Sequence, residues 1–223
     1  MVELISDLRA DTVRANLAEV REEIVTAAGA AGRESSEVEV LAATKYVSAE
    51  DLPALAAAGI RLIGENRAQD LIEKVAAHGE MFTWDFIGRL QSRKVKAIVP
   101  HVRLIHSVAS ESVLHELSRH RADAHPGLEI LIEVNVAGEP GKDGVAPEEL
   151  DAFIERAPVP VAGLMTMPPY AEDPEDSRRW FAELRTLADD RGLQRLSMGT
   201  SQDYRVAVAE GATIVRIGTR LYS

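Results

Sequence analysis

From residue 38 onward short runs rich in β-branched residues alternate with longer stretches that have apolar residues at helical spacing, eight runs with seven stretches between them. The runs read as strands at 38–45, 61–66, 82–88, 103–109, 129–136, 161–167, 195–200 and 213–219. Helical patterns fill 49–58, 67–77, 91–99, 111–122, 147–156, 174–190 and 203–210, the last starting anywhere between Ser201 and Tyr204. Strands that alternate with helices pair in parallel, because each crossover returns the chain to the same end of the sheet, and eight such strands close on themselves. The sequence therefore predicts a single α/β domain over 1–223, a (β/α)8 TIM barrel. An open doubly wound sheet is the competing arrangement, but no glycine-rich dinucleotide fingerprint follows the first strand.

The first 30 residues carry an additional helix, near 12–28, while only "RLYS" follows the eighth run. That helix could pack on the barrel where the last outer helix is missing. No repeat, low-complexity tract or linker divides the chain. Helix starts have local support: Ser48 precedes Glu50 and Asp51, Ser110 precedes Glu111, and Asp173 precedes Pro174. Trp180, Phe181, Leu184 and Leu187 lie at helical spacing and read as core.

Composition excludes several function classes. A formal charge of −11 argues against nucleic acid or an anionic membrane as partner, since both need clustered cations. The one basic stretch, "RKVK" at 93–96, reads as a solvated helix face. The absence of cysteine removes disulfides, thiolate metal sites and thiol nucleophiles. The six histidines lack HExxH spacing, and "GEPGK" is too short for a nucleotide phosphate loop, so no metal or nucleotide site is expected. Acids scattered through the amino terminus exclude a signal peptide or membrane span, which makes the cytoplasm the expected location.

Chemistry in such a barrel collects at the carboxyl ends of the strands. Strand one ends on Lys45 in "LAATKYVS", strand two on Asn66 in "GEN", strand seven runs into "MGTSQD" and strand eight reads "VRIGT". An apolar run that finishes on an ammonium needs either a route to water or a chemical purpose. Alternation along "VRIGT" places Arg216 and Gly218 on one face and Val215 and Ile217 on the other. Ser201 is expected to open a short helix whose free amides favour an anion, and with Thr219 it would form a phosphate cup. Plainer roles exist for each: Ser201 as a helix cap, Gly218 as turn relief, Arg216 paired to a buried Glu133 or Glu65, Lys45 snorkelling to the rim. A lysine beside a phosphate cup suggests a Schiff base to a phosphorylated carbonyl compound, with a neighbouring cation and desolvation supplying the neutral amine. Pyridoxal 5′-phosphate (PLP) and an aldolase-type sugar phosphate both fit. The Gly/Pro-rich loop "NVAGEPGKDGVAPEE" is expected on this face.

At these residues the chain resembles the PLP homeostasis protein family, the YggS/PROSC-type proteins. The likeness runs through "LAATKYVS", "IGENRAQDL", "WDFIGRLQSRKVKAI", "IHSVAS", "IEVNVAGEPGKDGV", "GLMTM" and "LSMGTSQDYRVAVAEGATIVRIGTRLY". It implies a barrel like the N-terminal domain of alanine racemases, with PLP on Lys45, its phosphate held by Ser201, Gly218 and Thr219, and Arg216 facing the pyridine nitrogen. Asp85 stands where the family commonly has histidine, Thr200 where it has methionine, and Thr44 where serine is frequent. Related racemases complete the site with a second domain and a tyrosine base, whereas this chain stops after its eighth strand. The resemblance therefore implies a monomeric PLP carrier without strong catalysis, acting in PLP homeostasis, delivery to PLP-dependent apoenzymes, and amino-acid and keto-acid balance. A racemase-type PLP enzyme is the alternative, and a Schiff-base aldolase on sugar phosphates the third.

Overall fold

The computed structural model describes residue 5 and residues 7–223. Eight parallel strands, β1 (Glu39–Ala43), β2 (Leu62–Glu65), β3 (Thr83–Phe86), β4 (Leu104–Val108), β5 (Glu129–Glu133), β6 (Val161–Met165), β7 (Arg195–Thr200) and β8 (Ile214–Ile217), close into a barrel in chain order. Pairing of β1 with β8, Leu41 opposite Arg216 and Ala42 opposite Ile217, makes the closure. The sequence prediction of a (β/α)8 barrel holds. Helices α1 (Ala10–Ala30), α2 (Leu52–Ala57), α3 (Ala68–His78), α4 (Val95–Ile98), α5 (Glu111–Arg119), α6 (Leu150–Glu155), α7 (Arg178–Asp189) and α8 (Tyr204–Ala209) surround it.

The buried stripe Val13, Leu17, Val20, Ile24 and Ala28 recurs at helical spacing along α1 and packs against α8 and α2. That is where a helix after β8 would sit. Polar ties fasten the chain end there: Asn16 donates to the Leu221 and Ser223 carbonyls at 3.2 and 2.9 Å.

Period-2 alternation divides the strand residues between two cores. Ala42, Ile63, Trp84, Phe86, Ile105, Ile130, Ile132, Leu164, Leu196, Met198, Val215 and Ile217 face the helices. Leu41, Leu104, Leu131, Met165 and Ile214, with Leu62 and Ile87 beside them, fill the lumen. Arg216, two residues beyond Ile214, therefore points into the lumen as alternation predicts.

Three local expectations need correction. β1 ends at Ala43, so Lys45 lies in the turn beyond the strand and is exposed. Ser110 makes no cap to α5, because its hydroxyl bonds the Ser112 hydroxyl at 3.1 Å instead. Position 91–99 is a tight turn at Ser92–Lys94 followed by the four-residue α4, a shorter helix than the apolar spacing suggests. Asp173 does cap its segment, accepting from the Glu175 amide at 3.0 Å, and Ser48 accepts from the Asp51 amide at 3.2 Å.

Candidate active site

The carboxyl ends of the strands enclose a cavity of about 530 Å³. Lys45, Asn66, Ser201, Arg216, Gly218 and Thr219, contributed by the ends of β1, β2, β7 and β8, all line it. A hollow of similar size, about 550 Å³, lies at the other end of the barrel against α1, and its lining is chiefly apolar. The amine, amide and hydroxyl groups converge on the first and not on the hollow against α1.

Lys45 is fixed in direction more than in contact. Its Nζ sits 4.6 Å from the Tyr46 ring centroid, a cation–π approach that leaves the amine facing solvent and the cavity. The desolvated amine expected from the sequence is not what the fold provides, because the chain has already left the strand at Thr44. The buried lysine is Lys74 on α3. Its Nζ donates to the Thr44 carbonyl at 2.8 Å and to Glu65 Oε1 at 2.5 Å. Glu65 also accepts from Thr44 Oγ1 at 2.5 Å and from the Asn66 amide at 3.2 Å. One buried carboxylate thus ties together the residues that immediately precede Lys45 and follow β2.

Asn66 is held further by a close backbone approach. A Cβ placed on Gly88, just past β3, would lie 2.0 Å from the Asn66 carbonyl oxygen, so only glycine lets the two segments meet. The Gly88 carbonyl in turn accepts from the Ser107 hydroxyl. Asn66 Oδ1 is buried at the cavity wall without a hydrogen-bond partner among the described residues, which leaves a polar group for a ligand.

The anion corner differs from the sequence expectation in one respect. α8 begins only at Tyr204, and at six residues it is too short for its dipole to carry the argument. Ser201 lies in the preceding turn, and its Oγ accepts from the Gly218 amide at 3.0 Å. The corner is therefore a hydroxyl locked to a backbone N–H, with Thr219 beside it. A Cβ on Gly218 would meet only Ala43, at 3.9 Å, so the side that glycine leaves bare is open.

Arg216 is buried, and no carboxylate pairs with it among the described residues. NH1 donates to the Ser197 carbonyl at 2.8 Å and to Ser197 Oγ at 2.5 Å. NH2 reaches the Thr166 carbonyl at 3.0 Å and Met167 Sδ at 2.9 Å. Burial pulls its pKa down to about 10, against the opposing charges of Asp203 and Glu133, so it remains a cation at neutral pH. Glu65, one of the partners considered from the sequence, faces the helix layer instead. The other, Glu133, lines the cavity, where burial and the neighbouring Asp143 push its carboxyl above the usual carboxylate range.

The Gly/Pro-rich loop lies on this face, as its composition suggests. Asp143 lines the cavity and pairs with Arg89 Nε at 2.8 Å, joining the loops that follow β5 and β3. Gly88 and Met167 also reach the cavity without having been singled out by sequence, and Glu133, considered only as a partner for Arg216, reaches it too. Gly88 carried a signal, a glycine directly after an apolar strand in "DFIG". Met167 carried none beyond lying near its strand end.

Comparison with known proteins places the chain in a family. The family described as alanine racemase, N-terminal domain, matches residues 11–223. The "Pyridoxal phosphate homeostasis protein" of Aquifex aeolicus is 42% identical over 217 residues, 92% of this chain and 95% of the relative. Its counterpart in Pseudomonas aeruginosa is 39% identical over 218 residues, 95% of each chain. The structure of PipY from Synechococcus elongatus with PLP bound superposes with a TM-score of 0.79 at 30% identity, covering 95% of this chain and 100% of PipY.

Proposed function

Since the chain belongs to the pyridoxal phosphate homeostasis protein family, we propose that it binds PLP as a Schiff base on Lys45 and serves as a carrier in PLP homeostasis and delivery. The observation that carries this reading is the meeting of the Lys45 amine and the Ser201–Gly218 corner in one cavity. The residues present fit the group. Ser201, Gly218 and Thr219 would hold the phosphate, and Asn66 offers its unpartnered side-chain oxygen. Arg216 would lie toward the pyridine nitrogen. When bound, PLP supplies an aldehyde that condenses with amines and a ring that can accept electrons.

The protein groups around the cavity favour holding over turnover. Arg216 donates only to neutral acceptors, so no carboxylate is bonded to it and it has no proton acceptor to offer a ring nitrogen. A fixed cation disfavours protonation of that nitrogen and weakens the ring as an electron sink, which suits a carrier better than a versatile catalyst. Amino-acid and keto-acid balance would then respond to how much PLP is held, and PLP-dependent apoenzymes are the recipients in this reading.

Borohydride reduction followed by peptide mass spectrometry tests the assignment. The adduct is expected on Lys45 and lost in Lys45→Ala; the same adduct on another lysine at undiminished yield would overturn it. Exchange of the L-alanine α-proton in deuterated water is expected to be absent, and exchange that disappears in Lys45→Ala would make the protein a racemase-type enzyme instead.

A further inference from the structure

Below Arg216 the lumen holds a continuous polar thread that cofactor binding alone does not explain. Ser197 Oγ contacts His106 Nδ1 at 2.8 Å, and His106 Nε2 contacts Asp85 Oδ2 at 3.2 Å. Arg103 donates to Asp85 Oδ1 at 3.0 Å and Oδ2 at 3.3 Å, then continues to Glu39 at 2.9 and 3.0 Å. Ser197, His106 and Asp85 are fully enclosed. The thread crosses the barrel from β8 through β7, β4 and β3 to β1, and among these residues only Arg216 lines the cavity.

The hydrogens can be assigned from valence. Both oxygens of Asp85 accept from Arg103, so the contact from His106 Nε2 is a donated N–H. His106 Nδ1 is then a bare acceptor, and the single Ser197 hydroxyl proton fills it. Ser197 Oγ is left to accept from Arg216. Reversing any member strands a proton or a lone pair in a fully buried place, which costs more than the bond it replaces. A burial-lowered pKa for His106, with Arg216 and Arg103 adding to the effect, agrees with a neutral ring.

We propose that Asp85 and His106 are positioning residues for the cofactor cavity, acting in series through the Ser197 hydroxyl to fix where Arg216 points. The idea rests on the PLP reading and gives Asp85, one of three residues at which the resemblance marks a departure, a role. Asp85 sets the His106 tautomer, the tautomer sets the Ser197 proton, and that proton leaves one lone pair aimed at the guanidinium. The cation facing the ring is thereby held by a group that cannot neutralise it.

Two measurements test this. On protein without cofactor, long-range ¹⁵N NMR of the His106 ring should show the neutral Nε2–H tautomer at pH 7; an Nδ1–H or doubly protonated ring overturns the relay. On protein loaded with PLP, Ser197→Ala and His106→Leu should each weaken PLP binding about tenfold, the scale of one hydrogen bond to a charged group. Both should shift the visible absorption band in the same direction. Because the residues act in series, the double variant should be no weaker than the weaker single. His106→Asn, whose side-chain oxygen can still accept from Ser197, should recover part of the loss. Wild-type band and affinity in both single variants, or losses that multiply in the double, would overturn the proposal. Wild-type protein that takes up no PLP refutes the functional reading instead, and the tautomer then judges the relay by itself.

Discussion

Replacing Lys74 with methionine should cost this protein about 3–5 kcal/mol. The side chains of Lys74 and Glu65 are 6% and 0% exposed, and their charged atoms lie 2.5 Å apart. Solvent screening is therefore small, and the figure for breaking a buried pair applies undiminished. Methionine fills the aliphatic volume but removes both the Glu65 contact and the donor to the Thr44 carbonyl at 2.8 Å. Glu65 keeps only the Thr44 hydroxyl and the Asn66 amide, two dipoles in place of a cation. For a chain of this length the loss corresponds to a melting temperature lower by about 6–20 °C. The double variant Lys74→Met with Glu65→Leu should recover most of it, because removing both charges leaves none stranded. Urea unfolding of wild type, both single variants and the double closes the cycle. A Lys74→Met penalty below about 1 kcal/mol, the range of solvated pairs, or penalties that simply add in the double, would refute the reasoning. The Thr44 carbonyl directly precedes Lys45, so the single variant should also trap less PLP than its residual stability accounts for.

Gly88→Ala should lower stability by about 1–3 kcal/mol, the usual cost of overpacking, because its Cβ would stand 2.0 Å from the Asn66 carbonyl oxygen; thermal melting checks it. Ser201→Ala should cost about 1 kcal/mol by leaving the Gly218 amide without its acceptor, and it should weaken retention of PLP on a desalting column. His106 gives a pH prediction. Its folded pKa is lowered by burial, with Asp85 opposing and Arg216 and Arg103 assisting. The unfolded ring, at about 6.5, therefore takes up a proton first, and the contribution of the neutral ring is complete above that pH. As pH falls below it, unfolding free energy should drop by up to about 1.4 kcal/mol per unit, and this component should vanish in His106→Gln. Equal slopes for the two proteins between pH 6.5 and 5.5 would count against it.

The barrel was legible because its signal is redundant. Eight alternations and the period-2 pattern of "VRIGT" point to the same closed parallel sheet, and the inward turn of Arg216 follows from parity alone. Residues that meet across the barrel were not legible in this way. Asp85, His106 and Ser197 are 21 and 91 residues apart along the chain, and each looks like an ordinary polar residue in an apolar strand. Only closure brings β3, β4 and β7 to one axis. Ser201 failed differently. Propensity allowed a helix to begin there, but its hydroxyl found the Gly218 amide, and the turn that makes this contact delays α8 to Tyr204.

The apolar run that finishes on a lysine can be explained by asking which of two lysines the strand ends leave free. Lys45 lines the cavity, and Lys74 lines the hollow beside it. The ammonium of Lys74 is spent on a carboxylate and a carbonyl, so freeing its lone pair would strand Glu65. Among the described residues Lys45 is held by nothing stronger than the face of Tyr46, worth about 0.5–1 kcal/mol at an exposed position. The buried pair thus absorbs the cost of charge in the helix layer and fixes the backbone under Lys45, while the Lys45 amine has no carboxylate partner among the described residues. That division predicts that Lys74 remains unmodified by PLP and borohydride even in Lys45→Ala. An adduct on Lys74 in that variant would show that its ion pair opens easily, and the mechanical role given to it here would fall.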